Sequence, residues 1–314
     1  MPASSITWSW DRAAAYGLPK LIAQMRDSIA GPPTFEAFRK LDAVVADKGG
    51  SNILFPLRYA AINVQVVPSN PLSITPPNAI TDILSAASYD WAELYAQIAI
   101  DLRDINKVSN SPERAATMMR RYAESAIRDF YKLINTALHG NGTGTETSHG
   151  GFGFYLDGAN SGTLGGIAKS NTWWRARQKA NVGAMSVDKL DSWIVELSSD
   201  YESPQLFVST PTVISRVRSL LQAGERVVNK GGDDQEFGAL AVSYAGVLLV
   251  ADASCPAGTG YLINTNSIKV YVDSSEPKME KVSYPAPAQI WNVTMFSQLV
   301  AGALADSLRA TGIT

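Results

Sequence analysis

Residues 111–142 read SPERAATMMRRYAESAIRDFYKLINTALHGNG, and their spacing is the clearest local signal in the chain. Ser111 is a good N-cap, and Pro112 stands at the first helical position, where a missing N–H costs nothing. Ala115, Met119, Tyr122, Ala126, Phe130, Leu133 and Ala137 then recur at steps of three and four. Gly140 supplies the stop. The pattern predicts one helix over residues 112 to 139, roughly 42 Å long. Arg114, Arg120, Arg121, Arg128 and Lys132 outnumber Glu113, Glu124 and Asp129, so the outer face is mildly basic. The default reading of such a face is a solvated one.

A helix this long needs other elements to cover it, and the flanks are unusual. Upstream, Ile62, Val64 and Val66 alternate with Asn63 and Gln65, which reads as a half-exposed strand. Leu94, Ala96, Ile98 and Ile100 alternate with Tyr95, Gln97 and Asp101 as a second strand. Between them lie Pro68, Pro71, Pro76 and Pro77. A ~20-residue connection of this kind marks a projecting functional loop more often than a piece of a compact domain. The segment is read as a long hairpin reaching away from the body; an irregular excursion folded back on the core is the alternative.

The first 50 residues read as an arm. Leu18, Leu21, Ile22, Met25 and Ile29 predict one short helix, broken at Gly31-Pro32-Pro33. Phe35, Phe38, Leu41 and Val45 predict a second, ending before Gly49-Gly50. Both need a partner surface.

Downstream of residue 150 the pattern becomes mixed α+β. Val187, Leu190, Ile194 and Leu197 mark a helix before a strand at residues 205 to 209. Thr210-Pro211 opens another helix through Ile214, Val217 and Leu221, closed by Gly224. Strands are expected at residues 247–250, 261–263 and 268–272, and the charged, glycine-rich residues 222–238 as a mobile loop.

Composition narrows the class. In 314 residues, 46% are hydrophobic and 18% charged, enough apolar surface for a folded chain. Lys plus Arg is 27 against 29 acidic residues, a balance that argues against a dedicated DNA-wrapping protein. One cysteine, Cys255, excludes an internal disulfide framework and a cysteine-based zinc site. With only His139 and His149, little is left for metal chemistry, and no cofactor is expected. No apolar run is long enough for a membrane helix, and the opening residues carry no signal-peptide pattern.

Fragments that imitate catalytic motifs each fail. His149-Gly150-Gly151 resembles an esterase oxyanion loop, but no G-x-S-x-G elbow accompanies it. Gly140-Asn141-Gly142-Thr143-Gly144 follows a helix instead of preceding one, so a turn outweighs a phosphate cradle. Asp233, Asp234 and Glu236 do not have EF-hand spacing. Trp173-Trp174-Arg175 could stack on bases, although packing against a neighbouring element is the stronger reading. Cys255 reads as a buried, inert thiol. Nothing points to an enzyme.

The order of these parts resembles the major capsid proteins of tailed bacteriophages, the Hong Kong ninety-seven fold. Ile80-Thr81-Asp82-Ile83-Leu84 with Ala87-Ser88-Tyr89-Asp90-Trp91 is similar to the returning limb of that family's E-loop. Leu138-His139-Gly140-Asn141-Gly142 is similar to the end of its spine helix. Leu164-Gly165-Gly166-Ile167, Asn171-Thr172-Trp173-Trp174-Arg175, Val208-Ser209-Thr210-Pro211, Tyr244 to Asp252 and Tyr261 to Thr265 resemble segments of the remainder.

The resemblance implies an α+β capsid fold with an N-terminal arm (1–50) and an E-loop hairpin with its strands (51–106). It further implies a P-domain (107–154 and 276–314) with spine helix and sheet, and a mixed A-domain (155–275). It implies self-assembly into pentamers and hexamers of an icosahedral shell around double-stranded DNA, in the host cytoplasm and then the virion. Scaffolding, portal and decoration proteins are the accessory partners, and no membrane is involved. Ile62, Val64, Val66, Pro68, Pro71, Pro76, Pro77, Leu94 and Ile98 are then expected against a neighbouring subunit. Arg114, Arg120, Arg121 and Arg128 are the candidates for weak inner-face contact with DNA. Helical spacing begins as early as Leu18, so a separate scaffold or none is expected. Residues 49–106 carry no lysine, so an isopeptide crosslink from this loop is not expected either. An encapsulin-like compartment is the alternative with the same fold, and a monomeric enzyme the alternative of another class.

Overall fold

The computed structural model describes residues 32–47, 50–60, 84–101, 112–159, 161–200, 202–224, 241–273, 278–282 and 288–314. The first helix, α1 (Pro33–Lys40), follows an extended Pro32, with Glu36 in its first turn and Arg39 and Lys40 in its last. These charges suit the helix dipole. Its buried side chains are Thr34, Phe35, Ala37 and Phe38. Phe35 stacks on Tyr131 at 4.9 Å and Phe38 on Phe152 at 6.0 Å, so the covering surface comes from the chain itself. The helix expected from Phe35 through Val45 instead ends at Lys40. Asp42 turns the chain with a φ of 52°, and Val45 enters strand β1 (Val44–Asp47). Residues 33–47 therefore pack and pair within their own chain. The helix expected over residues 18–29 lies outside the described residues.

Next come β2 (Asn52–Arg58), β3 (Leu84–Asp90) and β4 (Ala92–Asp101). The long helix α2 spans Pro112–Leu138, as its spacing predicts. Its buried stripe is Ala126, Ile127, Phe130, Ile134 and Leu138, while Tyr122 and Leu133 stand exposed. Ala126 and Phe130 lie on the expected face, but beyond them the stripe runs through Ile134 and Leu138 instead of Leu133 and Ala137. The short helix α3 (Phe152–Tyr155), β5 (Thr163–Leu164), β6 (Ile167–Ala168) and β7 (Arg177–Lys179) follow. Then come α4 (Val187–Asp200), β8 (Leu206–Ser209), α5 (Pro211–Gly224), β9 (Ala241–Tyr244), β10 (Val247–Ala251) and β11 (Thr259–Ile263). The chain continues through β12 (Ile268–Asp273), β13 (Lys278–Val282), β14 (Ala288–Ala301) and β15 (Leu308–Thr311).

Two sheets organise the body. In the first, β14 is the spine: β4 pairs along one edge, while β13 and β12 take successive lengths of the other, and β1 joins β12 in parallel. Trp291, Val293 and Met295 face inward on alternate positions, and α2 lies against β4 and β14. The second sheet has the order β7-β15-β11-β8-β10-β9. Here the period of two sends Leu206 and Val208 into the core shared with α2, and Phe207 into the core under α4 and α5. Burial on both faces explains why residues 206–209 and 259–263 read as near-continuous apolar runs.

Besides the long connection from β4 to β7, the chain crosses between the sheets at two short crossovers, residues 264–267 and 302–307. Hence β12, expected with the A-domain, belongs to the first sheet, and β15, expected with the P-domain, belongs to the second. Turn-rich crossovers carry no apolar period, so the sequence reading changed domain at residue 275, after β12, and had no boundary at residues 302–307.

Candidate assembly surface and buried polar centres

The ribbon β2–β3 carries the candidate assembly surface. Its antiparallel register runs from Asn52 opposite Asp90 to Arg58 opposite Leu84. Alternation turns Ile53, Leu57, Ala87 and Tyr89 inward, while Leu54, Pro56, Arg58, Leu84 and Ala86 face out. Leu54 is 67% exposed and Leu84 63%, an apolar outer face on a ribbon that, among the described residues, has two strands. Such faces are templates for a further chain.

The root of the ribbon is clamped. The Tyr89 hydroxyl donates to Ala301 O at 2.9 Å and that of Tyr155 to Leu299 O at 2.8 Å, with the two rings stacked at 6.0 Å. Burial pushes both phenols above their ordinary range. The Ser88 amide donates to Gly165 O at 3.0 Å, and Gln298 Nε2 to Asp90 O at 2.7 Å. Gly302 sits so close to the Phe55 ring that an added Cβ would fall 2.1 Å from it. Tyr59 stacks on Trp173 at 5.0 Å, which accounts for one of the paired tryptophans; Trp174 is fully buried. The packing reading of that pair holds.

The expected site residues divide. Ile62, Val64, Val66, Pro68, Pro71, Pro76 and Pro77 lie outside the described residues. Leu94 and Ile98 are both 7% exposed, in the core on β4, which pairs with β14. The apolar partner inferred for them is supplied by their own chain. The limbs of the described hairpin are β2 and β3, so the strand at residues 92–101 is not one of them. Arg128 is exposed on α2; the side chains of Arg114, Arg120 and Arg121 lie outside the description. So do Asp233, Asp234, Glu236 and nearly all of the expected mobile loop.

The glycine turn after α2 is a packing device. Gly140 N bonds Ala137 O, Gly151 N bonds Gly142 O and Gly153 N bonds Gly140 O. An added Cβ at Gly151 would lie 2.3 Å from Gly140 O. His149 is buried beside this turn, its Nδ1 2.9 Å from Gly150 O, and burial lowers its pKa to about 4. Cys255 is buried as expected, its thiol pushed up to about 12 by burial and by the charge of Asp252.

Two buried carboxylates were not legible in sequence. Asp252, at the end of β10, accepts at Oδ2 from Thr34 Oγ1 (2.5 Å), Asn135 Nδ2 (2.8 Å) and His139 Nε2 (3.1 Å). Its Oδ1 accepts from the Ser254 amide at 2.8 Å. Burial works to raise this carboxyl, but the bonds from His139, Thr34, Ser254 and Asn135 hold it well below the usual carboxylate range. Thr34, His139 and Asp252 imitate a nucleophile, base and acid, yet they are 0%, 4% and 2% exposed and face one another. The cluster ties α1, α2 and the second sheet together. Asp306, on the second crossover, accepts from Ser267 Oγ, from Asn264 Nδ2 (3.0 Å) and weakly from Ser307 Oγ (3.4 Å). Burial raises its pKa to about 7.

No protein-family model and no curated protein matches the sequence. Solved structures do match. A chain of the cyanophage A-1(L) capsid asymmetric unit aligns with a TM-score of 0.64 and 17% identity, over 87% of this chain and 90% of that one. A capsid chain of a native GTA particle aligns at 0.59 and 13%, over 92% and 94%. The holo-SrpI encapsulin complex of Synechococcus elongatus aligns at 0.53 and 11%, over 88% and 87%. The ribbon, the long helix and the two linked sheets are thus one known architecture: the chain has the Hong Kong ninety-seven fold.

Proposed function

We propose that this chain is a major capsid subunit, a structural protein that assembles into pentamers and hexamers of an icosahedral shell around phage DNA. The observation that carries the reading is the ribbon β2–β3, clamped at its root while Leu54 and Leu84 stay outside any core of their own chain. An exposed apolar ribbon is a liability in a monomer and a contact in an array of identical copies. Alignment over most of the length of capsid chains supports the same reading.

Assembly in the host cytoplasm, residence in the virion, and scaffolding, portal and decoration partners follow from this reading. DNA contact through Arg128 and its helix neighbours Arg114, Arg120 and Arg121 is weak and salt-sensitive, in keeping with a near-neutral chain. The likeness to an encapsulin supports a second reading, a protein compartment.

Electron microscopy of the purified protein tests the proposal. Closed shells are expected, with nuclease-protected DNA in particles from infected cells; protein cargo without nucleic acid would favour the compartment. The double variant Leu54→Lys, Leu84→Lys is expected to stay folded, because both positions are exposed, and to lose shell formation. Normal shells from that variant would remove the ribbon from the contact.

A further inference from the structure

The two crossovers between the sheets run side by side and are stitched by one carboxyl. Gly302 N donates to Ser267 O at 2.6 Å, and Asn264 N donates to Ser307 Oγ at 3.2 Å. Asp306 sits between them, accepting from Ser267 and Asn264 on the first crossover while lying on the second. Asn264, Asp306 and Ser307 are at most 3% exposed.

The surroundings are short of positive charge. Glu202, in the segment before β8, is the charged group whose field reaches Asp306, and it also holds Asn266 Nδ2 at 2.9 Å. Arg177 bonds Ser307 O through its amide but sends its guanidinium to Glu196 at 3.1 Å. Arg309, further along the same segment, sends Nη1 to Gly153 O at 2.9 Å. Among the described residues an ionised Asp306 therefore has donors but no facing cation, and it repels Glu202. Buried charge without a counter-charge is costly, and the cost is relieved by letting water in.

We propose that Asp306 is a protonation-controlled latch between the two sheets, closed while its carboxyl is neutral and eased when it ionises. The device joins the first sheet to the second at the edge of the core that both share with α2. It does not depend on what a shell of this protein would enclose.

Hydrogen exchange on the full chain reads the latch directly through the amides of Asn264, Ile268, Gly302 and Ser307. The sign follows from a folded value of about 7 against 3.8 in the open state. Protection, corrected for intrinsic exchange, is expected to fall by roughly tenfold per pH unit from 5 toward 7 and to level off above. Amides of β8, in the core, report the global change, against which the change at the crossovers is read. Asp306→Asn, neutral at every pH, is expected to keep protection flat. Glu202→Gln, which leaves the carboxyl in place, is expected to move the levelling point to lower pH. Flat protection in the unaltered protein overturns the proposal, as does an unchanged slope in Asp306→Asn or an unmoved levelling point in Glu202→Gln.

Discussion

Asp252 and Asp306 are buried to the same degree, 2% and 3% exposed, and their surroundings drive them in opposite directions. Around Asp252 the donors come from α1, α2 and the following turn, and they reach both carboxylate oxygens. Around Asp306 the close donors crowd onto one oxygen, and the charged group in range is another carboxylate. Burial alone does not decide whether an aspartate is charged. The number and direction of donors do. One site is a permanent rivet; the other has a charge state that changes in the ordinary range of pH.

The largest expected effect breaks the rivet. Asp252→Ala leaves Thr34, Asn135, His139 and the Ser254 amide without their acceptor, and should cost about 3–5 kcal/mol in denaturant unfolding at pH 7. A loss near 1 kcal/mol would show the cluster to be redundant. The second effect depends on pH. The folded value of Asp252 lies below 3.8, so its contribution is intact above that pH and disappears only in strong acid. The folded value of Asp306 lies above 3.8, so the folded chain keeps a proton that the unfolded chain gives up. Stability should therefore decline between pH 4 and 7 in the unaltered protein relative to Asp306→Asn, by ~2–4 kcal/mol in total. Parallel pH profiles for the two would refute it. The smallest effect removes one donor from the rivet: Thr34→Val should cost about 1–2 kcal/mol by thermal unfolding, with no change in the exchange slope at Gly302.

How much of this could be read in advance follows from what each element advertises. The helix α2 was legible to within a residue because its caps and its three-and-four spacing are local. The apolar runs of β8, β10, β11 and β12 were legible for the same reason. The ribbon was legible only in part: Ala87 to Asp90 were placed on the returning limb by resemblance, but the strand opposite them, from Asn52 to Arg58, was not named. Pairing register is a property of two segments, and alternation in one of them does not name its partner. The strand β14 went unnamed because Gln289, Asn292, Thr294 and Ser297 interrupt its apolar pattern. The aspartates were invisible for a stricter reason: Asp252 meets residues 218 and 117 positions away. No window on the sequence contains such a cluster.

The position of β15 has a consequence for how the molecule is made. Strand β15 lies between β7 and β11, yet it is synthesised after every other strand of its sheet. Until residues 308–311 have left the ribosome, β11 has an open edge and β7 has no neighbour within that sheet. The sheet therefore closes after translation of the rest, by a pairing of long sequence separation, which is intrinsically slow.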